Sequence, residues 1–288
     1  MKIPQLHSTY PSLPKLTWGH HSVDLSARPV LMGILNITDD SFYDGGAFFD
    51  PSRAIDRAIA MEAEGAGVID MGGQSTRPGY VEISEAEEME RVIPLIKALK
   101  KIIRIPLSID TYKPAVALAA LEAGVDMLND IWGFQRHPEM AQLAAQFRVP
   151  AVLMHNRSTV DADIDIVEDI KQFFENSLGI SERAGIPRER IILDPGIGFG
   201  KTQPQNLEIL KRLHELNGFG CPLLVGASRK SVIGHVLGLP VSERLEGTLA
   251  ISIHAALHGV CFLRVHDIVP NLRVLQMHQA ISKGLLYG

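Results

Sequence analysis

The chain alternates between short, mainly apolar runs and longer stretches in which apolar residues recur every three or four positions. Eight runs stand out: Val30 to Leu35, Val68 to Met71, Ile105 to Ile109, Val125 to Leu128, Ala151 to Met154, Ile191 to Leu193, Leu223 to Val225 and Val260 to Val265. Between them lie sets at helical spacing, such as Val92, Ile93, Ile96 and Leu99, then Ile170, Phe173, Phe174 and Leu178, and later Leu249, Ile253 and Leu257. A strand covered on both faces is apolar at every position, and such runs separated by helices predict a parallel sheet. Eight units in 288 residues predict an α/β protein, a closed (β/α)8 TIM barrel. An open doubly wound sheet is the other arrangement, but no GxGxxG follows the first run. Ahead of the barrel, Leu16 to Trp18 and His21 to Leu25 flank a Gly-containing turn and predict an N-terminal β-hairpin that plugs the barrel's N-terminal end. The chain divides accordingly into an extension with hairpin, 1–29, and a barrel domain, 30–288. His20 and His21 are neighbours on a predicted strand, so they are expected to point to opposite faces and to be ordinary hairpin polars.

Composition narrows the function classes. A formal net charge of −5 and a pI near 6.1 give no general attraction to nucleic acid or to an anionic membrane. No apolar stretch approaches the roughly 20 residues of a membrane span, and the N-terminus lacks a secretory hydrophobic region. Cys221 and Cys261 sit beside apolar runs and read as buried, reduced core residues of a cytoplasmic protein.

The chemistry concentrates where the runs stop. Their terminators are Asn36, Gly72, Asp110, Asn129, His155, Asp194, Gly226 and His266, which in a barrel are expected to converge on one mouth. LDPGIGFGKT, from Leu193 to Thr202, is no phosphate loop: Pro195 stands where the first glycine is needed, and its glycines are spaced wrongly for GxGxxG. What remains is a carboxylate at a strand end before a loop whose glycines let backbone approach a ligand. Asp110 in SIDTYKP, and Asn129 with Asp130, add acceptors that suit a flat ligand rich in N–H donors. Anions are suited by a second set: Ser228, Arg229 and Lys230 after the seventh run, Arg264 and His266 on the eighth. Arg264 and His266 are two apart, so both are expected to reach one anion. Ser75, Thr76 and Arg77 lie after the second run and Thr38 after the first. The stretches Ile37 to Phe49 and Gln74 to Glu82 are long and polar and are expected to be mobile loops that close in the presence of an anion.

Taken together, GILNITDDSFYDGG, GGQSTRPGY, SIDTYKP, LNDIWG, LMHN, LDPGIGFGK, GASRKSVIG and LRVHD resemble the dihydropteroate synthase family, over nearly the whole chain from Val30 onward. That family joins p-aminobenzoate to 6-hydroxymethyl-7,8-dihydropterin pyrophosphate, a transferase reaction of folate biosynthesis that releases pyrophosphate. The resemblance implies pterin recognition by Asp110, Asn129, Asp194 and Lys230, with Ile131, Met154 and Phe199 packed near the ring. It implies pyrophosphate binding by Asn36, Thr76, Arg264 and His266, so that loss of Arg264 is expected to spare pterin analogues without pyrophosphate, and Mg²⁺ held by Asn36. It implies an aminobenzoate pocket of Ser75, Thr76, Arg77, Pro78, Phe199 and Ser228. Arg264, His266, Lys230 and Asp110 are then the catalytic group, acting by electrostatics and orientation with no protein nucleophile. A homodimer built on outer helices is implied as well. Two positions depart from the family's usual pattern: Asp39 where Pro is common, and Gln74 where Glu is common. Other readings are a corrinoid-system methyltransferase, which fits the SRKS and STRPG segments less well; an aldolase with Lys230 or Lys201 as Schiff base, although both lie in polar loops; and a paralogue that binds pterin without turnover.

Overall fold

In the computed structural model, which describes residues 15–37, 51–74 and 82–284, a two-stranded antiparallel hairpin precedes a sheet of eight parallel strands. The hairpin is β1 (Lys15–Trp18) and β2 (His21–Asp24). The parallel strands are β3 (Val30–Asn36), β4 (Val68–Gly72), β5 (Leu107–Asp110), β6 (Met127–Asp130), β7 (Ala151–Met154), β8 (Ile191–Asp194), β9 (Leu224–Val225) and β10 (Phe262–Val265). Each pairs with its sequence neighbour, and β10 returns to β3 with Phe262 opposite Val30. The remaining gap closes through Leu193, which bridges to Leu223 and donates to the Pro222 carbonyl at 2.9 Å. The sheet is therefore a closed barrel, as the run pattern predicts.

Nine helices alternate with these strands among the described residues: α1 (Pro51–Ala63), α2 (Glu85–Leu99), α3 (Pro114–Glu122), α4 (Glu139–Phe147), α5 (Ile166–Arg183), α6 (Gln203–Lys211), α7 (Ser231–Leu237), α8 (Leu245–Leu257) and α9 (Ile268–Lys283). Their starts are chemically marked. The Ser84 side chain accepts the Glu87 N–H, Asp165 accepts from Val167 and Glu168, and Thr202 forms a reciprocal capping box with Gln205. The main core lies between strands and helices and is built from outward strand residues such as Ile69, Leu128, Leu193 and Leu263. The inner face is separate: Met32, Val68, Met127, Val152, Ile192, Leu224 and Phe262 pack with Leu16, Trp18, Val23 and Leu25 of the hairpin segment. Because β1 and β2 supply the lower layer of the barrel filling, the expected plug is present.

Two details differ from the sequence reading. The His20 and His21 rings lie 4.0 Å apart, since His20 occupies the turn rather than a strand, yet His21 is committed to Asp126 at 3.0 Å and serves the hairpin's docking. Of the stripe Leu249, Ile253 and Leu257 of α8, Ile253 packs against the core but none is fully buried; α8 buries Thr248, Ser252, Ala255 and Ala256 instead. Small residues let this helix lie close to its neighbours, and Ser252 Oγ donates to Asn271 of α9 at 2.7 Å.

Candidate active site

Side chains alternate along a strand, so the residue two past an inward apolar one also points into the barrel, one layer nearer the mouth. From the apolar Val68, Met127, Val152, Ile192 and Phe262, and from the buried Ser108, this step gives Asp70, Asn129, Met154, Asp194 and Arg264, and Asp110. A polar ring thus sits directly on the apolar filling. Gly72 and Gly226 leave room within it: a Cβ at Gly72 would lie 3.6 Å from the Asp110 Cβ, and one at Gly226 would lie 3.6 Å from that of Arg264 and 3.8 Å from Asp194 Oδ2.

Arg264 is the hub. Its Nε donates to Asp70 Oδ2 at 2.6 Å and its Nη2 to Asp110 Oδ2 at 2.9 Å, while Asn129 Nδ2 donates to Asp70 Oδ2 at 2.9 Å. The other oxygens, Asp70 Oδ1 and Asp110 Oδ1, are buried without a partner among the described residues. Burial pushes the Asp110 carboxyl up to about 7; Arg264 opposes that rise and the neighbouring Asp70 adds to it. Burial also raises Asp194, against the attraction of Lys230, and one Asp194 oxygen accepts the Gly196 N–H at 2.7 Å. Lys230 donates to the Ile197 carbonyl at 2.6 Å and lies 4.5 Å from the centre of the Phe199 ring. Burial of its ammonium lowers it to about 8. Beside this charged floor, Tyr112, Ile131 and Met154 form a small apolar cluster, with Trp132 and Phe199 packed against it. A flat ring fits such a shelf with its edge toward the carboxylates.

On the opposite side of the mouth Ser228 Oγ meets His266 Nδ1 at 2.9 Å and also accepts the His266 backbone N–H at 3.2 Å. Arg264 and His266 therefore have different partners: the first is drawn inward by carboxylates, and the second is held against the loop after β9. Asn36 closes β3 in register with Gly72 of β4, and Asp110 ends β5 on the other side of that glycine.

Several expected site groups are placed elsewhere. Arg229 is no anion ligand of the mouth: at a φ of 57° it turns outward, where Nε and Nη2 clasp Asp267 at 2.8 and 2.9 Å. Asp130 bends into its own turn and accepts the N–H groups of Trp132 and Phe134. His155 packs outward against Asp169 and the Phe173 ring, and burial lowers it to about 3, so it is neutral and structural. Lys201 is not in a solvated loop; its ammonium, lowered by burial to about 7, donates to the carbonyls of His155, Gly196 and Phe199. With all three donors engaged it clamps the Gly-rich loop. Thr38, Asp39, Ser75, Thr76, Arg77 and Pro78, and the greater part of both expected loops, lie outside the described residues.

Residues 32–266 match the model of the pterin-binding enzyme family. The chain is 48% identical to a dihydropteroate synthase of Clostridium beijerinckii over 92% of its own length and 98% of that protein's. It belongs to the dihydropteroate synthase family. A Bacillus subtilis dihydropteroate synthase is 45% identical over 89% of this chain and 90% of its own. Among solved structures, a Clostridium difficile dihydropteroate synthase crystallised with pteroic acid superposes with a TM-score of 0.85 at 48% identity, covering 88% of this chain and 97% of that one. A Xanthomonas albilineans dihydropteroate synthase with 4-aminobenzoic acid gives 0.89 at 38% identity, covering 93% and 98%. Within the dihydropteroate synthase framework, the barrel mouth brings together Asp110, Asn129, Asp194, Lys230, Ile131, Met154 and Phe199. Sequence reasoning missed Asp70, Tyr112 and Trp132. Asp70 alone carried a signal, a charge inside an otherwise apolar run.

Proposed function

We propose that this protein is a working dihydropteroate synthase, joining 6-hydroxymethyl-7,8-dihydropterin pyrophosphate to p-aminobenzoate. The observation that supports it best is the buried Oδ1 of Asp110 in the inward ring, which has no partner among the described residues. Leaving such an acceptor unsatisfied costs about 1 to 3 kcal/mol, which a ligand N–H recovers. The pterin ring N–H and exocyclic amine supply adjacent donors for Asp110 and Asp194. Asn129 spends its amide nitrogen on Asp70, so its oxygen is the end left for the ligand. Ile131, Met154 and Phe199 hold the ring and exclude water, and Lys230 balances the carboxylate charge.

In the reaction the bond between the pterin methylene and the pyrophosphate oxygen breaks, and its electron pair leaves with pyrophosphate. The aminobenzoate nitrogen attacks the methylene carbon, forms the new C–N bond and releases one proton. The ring carboxylates stabilise the positive charge that develops on the pterin. His266, with Nδ1 against Ser228, offers its other ring nitrogen to the departing anion, and Arg264 supplies positive potential from below. The residues fit Mg²⁺ through Asn36, whose amide oxygen is a hard ligand of the kind that ion accepts and which would hold it. Bound there, it would neutralise the pyrophosphate. Thr76 would join the pyrophosphate contacts, and Ser75, Thr76, Arg77, Pro78, Phe199 and Ser228 would wall the aminobenzoate pocket.

The assembly we favour is a homodimer through α7 to α9, where Val236, Leu237, Val241, Met277 and Ile281 are 49–69% exposed and the Leu249, Ile253 and Leu257 stripe adds to them. No helix among the described residues is long and apolar enough to cross a membrane. Cys221 and Cys261 are free and buried, as suits the cytoplasm, and burial raises their thiols to about 11 and about 12. Turnover tests the function: pterin pyrophosphate, p-aminobenzoate and Mg²⁺ should yield dihydropteroate, resolved by chromatography, and its absence with both substrates bound would favour the paralogue that binds without reacting.

A further inference from the structure

The loop from Pro195 to Gly200 carries Phe199 and the N–H that engages Asp194, yet its own sequence gives it little rigidity. Gly196, Gly198 and Gly200 all sit in the left-handed region, at φ of 68°, 87° and 59°. Within the loop the Phe199 N–H reaches the Gly196 carbonyl at 3.1 Å, and side chains supply the other ties. From the mouth, Asp194 accepts the Gly196 N–H at 2.7 Å and Lys230 donates to the Ile197 carbonyl at 2.6 Å. Two residues grip the loop from behind. Lys201, 6% exposed, donates to the carbonyls of Gly196 at 2.8 Å, Phe199 at 2.9 Å and His155 at 3.3 Å, which cross-links the loop to the residue after β7. Asn206, fully buried in the first turn of α6, accepts the Gly198 N–H at 2.7 Å and donates to the Thr202 carbonyl at 2.9 Å. One donor partner and one acceptor partner fix which way that amide faces. The packing leaves no slack, since a Cβ at Gly200 would lie 2.4 Å from the Arg157 carbonyl oxygen.

We propose that Lys201 and Asn206 are positioning residues for the pterin: acting through the loop backbone rather than on the ring, they hold Phe199 on the apolar shelf and aim the Gly196 N–H that orients Asp194. This rests on the reading of Asp194 and Phe199 as pterin contacts. Glycines lose more backbone freedom on ordering than any other residue, so a loop with three of them is costly to fix. Without the two ties the ligand itself would have to order the loop, and its affinity would fall by that amount.

Calorimetry with 6-hydroxymethyl-7,8-dihydropterin, which lacks the pyrophosphate, tests the role. Lys201→Met keeps a long stem and removes three bonds from a charged donor, and the Kd of the folded variant should rise about tenfold. Asn206→Ala should act in the same direction. A lowered urea midpoint with an unchanged Kd in both would show a structural brace only and overturn the proposal. Because Lys201 acts through Phe199, Lys201→Met combined with Phe199→Ala should lose less than the product of the two single losses, and a full product would count against it. Phe199→Ala and Asp194→Asn separate the two readings. If both leave the Kd unchanged, the pterin assignment fails and this proposal with it; if both raise it while Lys201→Met and Asn206→Ala do not, the positioning role alone fails. Should neither Lys201→Met nor Asn206→Ala fold, amide hydrogen exchange in the wild type decides. The Gly198 and Phe199 amides should be protected before pterin is added, whereas protection that arises only with pterin would show a loop ordered by its ligand and overturn the proposal.

Discussion

Replacing Arg264 by Met tests the electrostatic design of the barrel floor. In the wild type one guanidinium serves two carboxylates at 2.6 and 2.9 Å, with Asp70 fully buried and Asp110 6% exposed. Removing one member of a buried ionic set leaves uncompensated charge and costs about 3 to 5 kcal/mol, a large share of a typical total of about 5 to 15. The folded variant can escape only by taking up a proton. Asp110 already stands at about 7 because of burial, with Arg264 holding it down, so loss of Arg264 moves it further up. A carboxyl whose folded value exceeds its unfolded one stabilises fully below the unfolded value, near 3.8, and loses that contribution as pH rises through the folded value. The deficit of Arg264→Met should therefore be full only above the variant's own Asp110 value, which exceeds the wild-type value of about 7, and smaller at pH 5, measured by urea unfolding across that range. A protonated Asp110 would also turn an O–H toward the pterin donors. Affinity for a pterin lacking pyrophosphate should then drop at least about tenfold, the worth of one charge-assisted bond, in contrast to the sparing expected from sequence. A stability loss under about 1 kcal/mol that is independent of pH, together with unchanged pterin affinity, would refute the reasoning.

Three further outcomes are expected. Asp194→Asn must give its amide oxygen to the Gly196 N–H, so its NH₂ faces the ligand's donors; calorimetry should show pterin affinity falling roughly 10- to 100-fold. The pH profile of kcat/KM should rise through about 7 as Asp110 ionises and fall through about 8 as Lys230 loses its proton, and Lys230→Arg should move the alkaline limb well upward. Gly196→Ala places a Cβ 1.9 Å from the His155 carbonyl oxygen at a φ of +68°, so thermal or urea unfolding should show a loss of at least about 3 kcal/mol.

The barrel was legible because strands buried on both faces must be apolar throughout, and the polar residues that end them must face the mouth. Asp110, Asn129 and Asp194 followed from that rule. Asp70 did not, because a run read as uniformly apolar hides the change of the inner face from apolar to polar within one strand. Arg229 misled for a related reason: position after a strand does not fix direction, and a left-handed backbone turns it to Asp267. In α8 the periodicity found a stripe of which only Ile253 packs against the core, and it passed over Thr248 and Ser252, which are buried with their hydroxyls satisfied by the Arg244 carbonyl and Asn271. Gln74 could be flagged from sequence as a departure, yet the partners of its side-chain oxygen, the Ile83 N–H and the Lys113 ammonium, could not.

The central claim is that the inward ring of carboxylates accepts the pterin, and the most direct measurement is a crystal structure of the protein with the dihydropterin pyrophosphate bound. The account predicts pterin nitrogens within about 3 Å of Asp110 Oδ1 and of Asp194, with the ring on the shelf of Ile131, Met154 and Phe199 and the pyrophosphate toward His266 and Asn36. A pterin bound elsewhere, or bound at the mouth with Asp110 Oδ1 still without a partner, would contradict it.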